Sequence, residues 1–182
     1  MILCGIDEAG RGPLAGPLCF AGCVLTGELK GLNDSKKLTE RKREALFDEV
    51  AANSIYHIVW HSAKEIDEMG ISACIKRSLL EIKSKINADR YLFDGNSRFG
   101  VDGLETMVKA DAQVTEVMAA SILAKVSRDR LMMELDGKYP QYGFAGHKGY
   151  GTAAHIEAIR LHGLSEIHRE SFKPKQLQAT LF

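Results

Sequence analysis

Residues 1–17 read MILCGIDEAGRGPLAGP, and in this stretch an apolar run, residues 2–6, stops on two adjacent acids, Asp7 and Glu8. The run is rich in strand-forming residues and predicts a buried strand. The glycines and proline of residues 10–13 predict that this strand ends early. Adjacent carboxylates repel each other and take up protons unless a cation compensates them. The two acids are therefore the first candidates for a functional site.

The bulk composition is that of one globular domain, with 182 residues, 45% hydrophobic and 26% charged. Lys plus Arg and Asp plus Glu number 24 each, so net charge gives no sign of nucleic-acid binding but leaves room for local basic patches. The four cysteines have no CxxC spacing and are expected to be reduced and structural. No apolar run approaches the roughly 20 residues of a membrane span, and no signal peptide is evident. We expect a soluble, cytoplasmic monomer.

Strands alternate with helices in the predicted order of elements. Strands are predicted at residues 2–6, 18–25, 55–60, 91–93 and 104–108. Helices are predicted at residues 38–52, from a capping box at residues 62–65, and at residues 71–86, 115–135 and 152–162, the last ended by Gly163. This order predicts an α/β fold with a mixed sheet. From about Phe172 the composition is typical of an exposed tail.

Four acids stand out because three of them follow apolar segments: Asp7 with its neighbour Glu8, Asp94 and Asp111. Strand ends are where sites assemble in open α/β sheets, so these carboxylates could converge on one point. All-oxygen ligation selects Mg²⁺ or Mn²⁺, and two such ions roughly 3.5 to 4 Å apart would support phosphodiester hydrolysis. The alternative is that each aspartate is an ordinary turn or cap residue.

Glu8 raises a geometric problem, because neighbouring residues of a strand point to opposite faces. Either the strand ends or twists at Asp7, or Glu8 contributes differently. Glu8 could serve the site through its backbone carbonyl or from another side.

Several long motifs together resemble bacterial ribonuclease HII. They are GIDEAGRGP at residues 5–13, DSKKL at residues 34–38, DGN at residues 94–96, AASILAKVSRD at residues 119–129 and HKGYGT at residues 147–152. The resemblance runs in order from Gly5 to about Phe172. It implies a ribonuclease H-like fold, with a five-stranded mixed sheet flanked by helices and a helical C-terminal portion. Residues 1–172 would be the catalytic domain and residues 173–182 an exposed C-terminal tail.

The resemblance also implies an activity. Members of the family are metal-dependent endonucleases that cut on the 5′ side of a ribonucleotide, in RNA/DNA hybrids and in DNA duplexes containing single ribonucleotides, leaving a 3′-hydroxyl and a 5′-phosphate. The implied role is ribonucleotide removal from DNA. The family's catalytic and metal-binding acids fall on Asp7, Glu8, Asp94 and Asp111, with Mg²⁺ or Mn²⁺ as cofactor.

Substrate-binding residues are implied in the same way. The family's glycine-arginine-glycine backbone, here Gly10, Arg11 and Gly12, reads the 2′-hydroxyl that distinguishes ribose from deoxyribose, and Tyr150 matches a tyrosine that stacks on the following sugar. Positions suited to phosphate contacts are Ser35, Lys36, Lys37, Lys125, Arg128, His147 and Lys148. The alternatives are a plain glycine-rich turn, an unspecialised loop tyrosine and solvated charges. The other five histidines are expected to be structural.

Two positions depart from the family pattern near its last acid. The family commonly has glycine before that acid and lysine shortly after it, whereas this chain has Ala110 and Gln113. The missing positive charge could alter substrate grip or metal affinity.

The last five residues resemble the glutamine-x-x-leucine-phenylalanine peptide by which bacterial repair proteins dock on the β sliding clamp. The matching residues are Gln178, Leu181 and Phe182. A terminal Leu-Phe pair suits insertion into an apolar pocket. The alternative is a tail that folds back on its own domain or stays disordered.

Other function classes are less well supported. The sister ribonuclease HIII group is expected to have an extra N-terminal domain and to lack the glycine-arginine-glycine motif. A non-catalytic module would be expected to have lost an acid, yet all four are present. Another alternative is a phosphoryl-transfer nuclease of the same superfamily that does not require RNA in its substrate. A test of substrates distinguishes it from a ribonuclease HII.

Overall fold

The computed structural model describes residues 1–32 and 38–178. Five strands form one sheet in the order β3-β2-β1-β4-β5. Their bounds are β1 Leu3–Ala9, β2 Leu18–Leu25, β3 Ser54–His61, β4 Arg90–Asp94 and β5 Glu105–Met107. The first three strands pair antiparallel, and β1, β4 and β5 pair parallel. The predicted mixed sheet is confirmed.

Seven α-helices are assigned in the described part of the chain. They are α1 Glu40–Ala52, α2 Ala63–Met69, α3 Ile71–Lys85, α4 Thr115–Lys138, α5 Phe144–His147, α6 Ala153–His162 and α7 Lys175–Gln178, with short 3₁₀ turns at Lys30–Leu32 and Ala110–Ala112. The predicted capping box is present at Ser62, where the backbone N–H of Glu65 donates to the serine hydroxyl. Gly163 ends α6 with a positive φ of 73°, as its position predicts.

Each face of the sheet packs against helices. Phe20 and Phe93 belong to a buried cluster that includes Leu79 of α3, and Ala21 belongs to a second cluster that includes Leu123 of α4. All four cysteines are buried and free. Within residues 1–32 and 38–178, none of the helices combines the length and apolar character needed to cross a bilayer.

The end of β1 differs from the early strand end predicted for it. On one side β1 continues to pair with β2 through Asp7, Glu8 and Ala9. On the other side the pairing of β1 with β4 stops at Ile6 opposite Phe93. The early end is therefore wrong for the β2 side and correct for the β4 side. The sheet opens between β1 and β4 at the level of the two acids.

A third buried cluster lies at the C-terminal end of the domain. It joins Ala15 of the loop after β1 to Met132 of α4 and to Phe144 and Ile159 of α5 and α6. The helical C-terminal portion is thereby packed onto the loop that follows the two acids.

Candidate metal centre and nucleic-acid cleft

Three carboxylates meet where the sheet opens. Asp7 lies near the end of β1, Asp94 ends β4, and Asp111 lies on the 3₁₀ turn after β5. Each offers an oxygen atom, and these atoms all lie within 4.8 Å of one another. Asp7 is buried and the other two are half-buried. The structure thus brings together three acids that are up to 104 positions apart in the chain.

The Asp94 carboxylate is oriented by the turn that carries Asp111. Its two oxygens accept the backbone N–H groups of Lys109 at 3.0 Å and of Asp111 at 3.2 Å. Lys109 has a positive φ of 57°, and the Gln113 side chain donates to its carbonyl at 3.1 Å. Gln113, which departs from the family pattern, therefore supports the turn instead of supplying a positive charge.

Glu8 stands apart from the three-aspartate group. One of its carboxylate oxygens accepts Arg11 Nη2 at 2.7 Å, and the other, Oε2, is buried without a hydrogen-bond partner among the described residues. The Glu8 backbone N–H donates to Asp7 Oδ1 at 2.8 Å. As strand geometry predicts, the Glu8 side chain does not duplicate that of Asp7.

Burial makes ionisation of these acids unfavourable. Desolvation raises the pKa of Asp7 well above its usual range; the neighbouring Glu8 adds to the shift, and Lys125 opposes it. Burial also raises the pKa of Glu8, against the effect of Arg11, and the pKa of Asp94. Carboxylates in this environment are stabilised in the charged form by a cation between them.

The residues present fit a hard divalent cation. The donors are all oxygen atoms, which suits Mg²⁺ or Mn²⁺. The unpartnered Oε2 of Glu8 is a buried acceptor that the protein leaves unsatisfied. Lys125 Nζ lies 3.7 Å from Asp111 Oδ2 and supplies one positive charge at the edge of the group.

Gly10 and Gly12 of the loop after β1 have different surroundings. Gly10 has a φ of 88°, and a Cβ built on it would lie 2.1 Å from Arg128 Nε. Gly12 has no atom within 4 Å of such a Cβ. Of these two positions, the protein's own packing requires glycine at position 10 and not at position 12. The space beside Gly12 stays open for an approaching molecule.

A cleft of about 530 Å³ adjoins this loop and the acids. Its lining includes Glu8, Arg11, Gly12, Lys125, Lys148 and Tyr150. Tyr150 is 47% exposed, and its ring centre lies 5.6 Å from the Arg128 guanidinium carbon. Lys148 Nζ donates to the Ala145 carbonyl at 2.7 Å and lies 3.3 Å from Glu40. Of the predicted substrate contacts, the cleft lining thus includes Lys125, Arg128, His147, Lys148 and Tyr150.

Arg128 lines the cleft, but its side-chain donors bind carbonyls of the protein. It is 1% exposed and donates to the carbonyls of Pro17, Lys148 and Ala15 at 2.8, 2.8 and 3.0 Å. A guanidinium used in this way shapes the loop, and a phosphate contact by Arg128 stays a prediction. From its position on a helix, Arg128 was expected to be a solvated charge or a phosphate contact. Its burial has no local sequence pattern, because distant loops cause it.

His147 also lines the cleft with its ring engaged by the protein's own backbone. Its Nδ1 accepts the Gly149 N–H at 3.1 Å, so the neutral ring carries its proton on Nε2, which donates to the Tyr142 carbonyl at 2.7 Å. Both ring nitrogens are engaged with backbone, and neither is free for a phosphate.

Sequence reasoning missed Arg169. This arginine is 1% exposed and its side chain contacts the loop at residues 10–16. It lies in a polar segment, where an arginine looks solvated, so no sequence signal pointed to it.

The remaining predicted contacts fall at or beyond the limits of the described residues. Ser35, Lys36, Lys37, Leu181 and Phe182 lie outside them. Gln178 is exposed at the end of α7, and its side chain donates to the Lys173 carbonyl at 3.0 Å.

Similarity to known proteins covers nearly the whole chain. A family model described as Ribonuclease HII matches residues 4–175. The chain is 60% identical over 181 residues to Ribonuclease HII of Sulfurovum sp. (strain NBC37-1), covering 99% of this chain and 96% of that protein. It is 59% identical over 177 residues to Ribonuclease HII of Aliarcobacter butzleri (strain RM4018), covering 96% and 92%.

Solved structures have the same fold. RNase HII of Archaeoglobus fulgidus, solved in a complex with PCNA, superposes with a TM-score of 0.81 at 28% identity, covering 96% of each chain. Ribonuclease H2 from Pyrococcus horikoshii OT3 superposes with a TM-score of 0.79 at 28% identity, covering 98% of this chain and 96% of that one. Bst-RNase HIII in complex with Mn²⁺ reaches a TM-score of 0.73 at 16% identity, which is a likeness of fold alone.

Proposed function

The chain belongs to the ribonuclease HII family, and from this we propose that it hydrolyses the phosphodiester bond on the 5′ side of a ribonucleotide. The substrates are RNA/DNA hybrids and DNA duplexes with single ribonucleotides, and the products carry a 3′-hydroxyl and a 5′-phosphate. Family membership itself makes the protein a metal-dependent ribonuclease H. The observation that carries the finer proposal is the meeting of three carboxylates beside a glycine loop with open space on its outer side.

Asp7, Asp94 and Asp111 would hold Mg²⁺ or Mn²⁺, with Glu8 contributing its unpartnered oxygen or its backbone carbonyl. Two such ions, when bound, supply an activated water and stabilise the leaving oxygen of the phosphodiester. The protein's own part is to fix the ligands. The amides of Lys109 and Asp111 set the orientation of Asp94 before any substrate arrives.

Substrate recognition is proposed for the loop and the cleft. The backbone of Gly10, Arg11 and Gly12 reads the 2′-hydroxyl, since glycine lets a sugar approach the chain closely. Tyr150, half exposed at the cleft, stacks on the following sugar. Lys125 and Lys148 offer phosphate contacts from the same cleft, and the proposal extends those contacts to Ser35, Lys36 and Lys37.

The decisive experiment is cleavage of a DNA duplex that contains one ribonucleotide. With Mg²⁺ or Mn²⁺ we expect a single nick 5′ to the ribonucleotide, no cleavage without metal, and no cleavage of the all-DNA duplex. End analysis of the product should give a 3′-hydroxyl and a 5′-phosphate. Equal cutting of both duplexes would overturn ribose recognition.

A pair of variants tests the metal centre. Asp94→Asn keeps the shape of the side chain but removes its charge, and should lower kcat at least about a hundredfold. Asp48→Asn is the matched control, because Asp48 is exposed on α1 and lies outside the acid group. Full activity of Asp94→Asn would exclude it as a metal ligand.

We also propose a clamp partner for the tail. RNase HII of Archaeoglobus fulgidus was solved in a complex with PCNA. In this chain Gln178, Leu181 and Phe182 have the spacing of a clamp-binding peptide. In this proposal residues 1–172 form the catalytic domain, and residues 173–182 attach it to the β sliding clamp for ribonucleotide removal from DNA.

A further inference from the structure

Arg169 makes three hydrogen bonds to the carbonyls of one loop. Its Nη2 donates to Gly10 O at 2.5 Å, its Nη1 to Arg11 O at 3.1 Å and its Nε to Gly16 O at 3.0 Å. It is 1% exposed, so these contacts form away from water. The planar guanidinium presents its donors in a rigid fork, which can hold several carbonyls in one fixed arrangement. Lysine has no such fork.

These contacts determine where the neighbouring amides point. In a trans peptide unit the carbonyl of one residue and the N–H of the next point in opposite directions, and the described chain has no cis peptide bond. Because the carbonyls of Gly10 and Arg11 are turned inward to Arg169, the N–H groups of Arg11 and Gly12 are turned the other way. Neither N–H donates a hydrogen bond within residues 1–32 and 38–178.

Arg169 is itself held firmly. Its backbone N–H donates to Leu14 O at 2.8 Å, next to a backbone bridge between Ala15 and His168. Its guanidinium carbon lies 4.9 Å from the centre of the Phe172 ring. The segment continues to Ser171, whose backbone N–H donates to Asp67 of α2 at 2.9 Å. The C-terminal portion therefore presents Arg169 to the loop from a fixed position.

We propose that Arg169 is a positioning residue for ribose recognition, which holds the carbonyls of Gly10 and Arg11 inward so that the amides of Arg11 and Gly12 face the cleft. This inference rests on the proposed function, since it concerns how the same loop meets the 2′-hydroxyl. The open space at Gly12 supports it, because a substrate sugar can reach these amides without displacing protein atoms.

The test measures how strongly the enzyme prefers a ribonucleotide. The readout is the inhibition constant of an all-DNA duplex divided by KM for the duplex with one ribonucleotide, both in Mg²⁺. A smaller fraction of folded enzyme changes neither constant, so the ratio reports recognition and not stability. We expect Arg169→Lys to reduce this ratio about five- to hundredfold, the range for two misaligned hydrogen bonds, with the inhibition constant unchanged.

Two further variants keep the test interpretable. Val50→Ala shortens a fully buried side chain of α1, in the cluster that does not include Phe172, and should lower stability without changing the ratio. Should Arg169→Lys fail to fold, Phe172→Leu takes its place, because it removes the ring beside the guanidinium; it should also lower the ratio.

The outcomes separate the inference from the proposed function. A wild-type ratio near one overturns ribose recognition itself. The role of Arg169 is overturned if the wild-type ratio is well above one and folded Arg169→Lys retains it. If the lysine variant does not fold, the same conclusion follows when folded Phe172→Leu retains the ratio. In both cases the proposed function is left standing.

Discussion

Gly10 and Gly12 show that one residue type can answer two requirements within three positions. Gly10 adopts a positive φ and its missing Cβ makes room for Arg128. Gly12 has neither a positive φ nor a close neighbour. Because Gly12 also lines the cleft, the proposed approach of the substrate accounts for a glycine at this position.

The two glycines should therefore respond differently to alanine. Gly12→Ala should leave the free energy of unfolding within about 0.5 kcal/mol of wild type but lower kcat/KM on the one-ribonucleotide duplex at least about tenfold. Gly10→Ala should cost more than about 1 kcal/mol of stability, because of strain at positive φ and the clash with Arg128. Urea unfolding and cleavage kinetics measure both. A fully active Gly12→Ala would remove the case for substrate approach at that position.

Gly5 shows how the elements position the acids. It lies on central strand β1, two residues before Asp7, and a Cβ there would be 2.2 Å from the backbone carbon of Glu116 in α4. The first turn of α4 therefore packs directly on the strand. The atoms nearest to that Cβ are all backbone atoms of α4. The helix would therefore have to move to accept a side chain at position 5.

Gly5→Ala tests this packing, with Gly137→Ala as its matched control. Both add one methyl group, but a Cβ at Gly137, near the end of α4, meets nothing within 4 Å. We expect Gly5→Ala to lose about 1–3 kcal/mol and Gly137→Ala to gain up to about 1 kcal/mol from helix propensity. Equal effects in urea unfolding would show that α4 does not press on β1 at this point.

A chain of hydrogen bonds runs from Ser165 through His168 and His155 of α6 to the Tyr150 carbonyl. The Ser165 N–H donates to His168 Nδ1 at 2.9 Å, so the neutral His168 ring carries its proton on Nε2, 3.0 Å from His155 Nε2. His155 in turn donates from Nδ1 to the Tyr150 carbonyl at 2.8 Å. The chain is complete only while both rings are neutral. Protonation of either ring would place two N–H groups face to face.

Acid should therefore weaken the fold through these histidines. Burial lowers the pKa of His168 to about 4, from an ordinary value of 6.5, and nearby His155 adds to the shift. As pH falls the unfolded chain takes up the proton first, so this stabilisation is full above pH 6.5 and is lost towards about pH 4.

The comparison of wild type with His168→Gln isolates this contribution. Gln keeps a side-chain acceptor for Ser165 and does not titrate. We expect the variant to be less stable at pH 8, but its Tm should fall several degrees less than that of wild type between pH 7 and pH 5. Parallel Tm curves for the two proteins would contradict the assignment.

At the scale of the whole molecule, the C-terminal portion contributes to the cleft and supports its loop. Its Tyr150 lines the cleft, and its Arg169 holds the loop that follows the acids.

Deletion of residues 178–182 should separate clamp binding from catalysis. Binding to the β sliding clamp, measured by surface plasmon resonance, should fall below detection, while cleavage of short one-ribonucleotide duplexes stays within about twofold of wild type. Gln178→Ala offers a milder variant, since this side chain is exposed and bonds only to Lys173 O in the described chain. Unchanged clamp binding after the deletion would reject the tail as the docking segment.

The amino-acid sequence alone indicated the five strands, the longer helices and their order, and it singled out the acids as candidates. It did not indicate the short helices α5 and α7. Strand and helix periodicity, the Ser62 cap and the Gly163 stop are local properties of the chain, and the structure follows them. The family motifs likewise lie on contiguous residues. Such signals are readable because neighbouring positions carry them.

Tertiary structure alone decided which charged groups serve the site and which serve the fold. Arg128 and Arg169 are buried and bind loop carbonyls, and both ring nitrogens of His147 bind backbone. The Glu8 side chain pairs with Arg11, on a strand that continues along β2. The physical reason is that the partners of these groups lie far away in the sequence. The Gly10 carbonyl that Arg169 binds, for example, is 159 positions from it. Local sequence carries no record of such contacts.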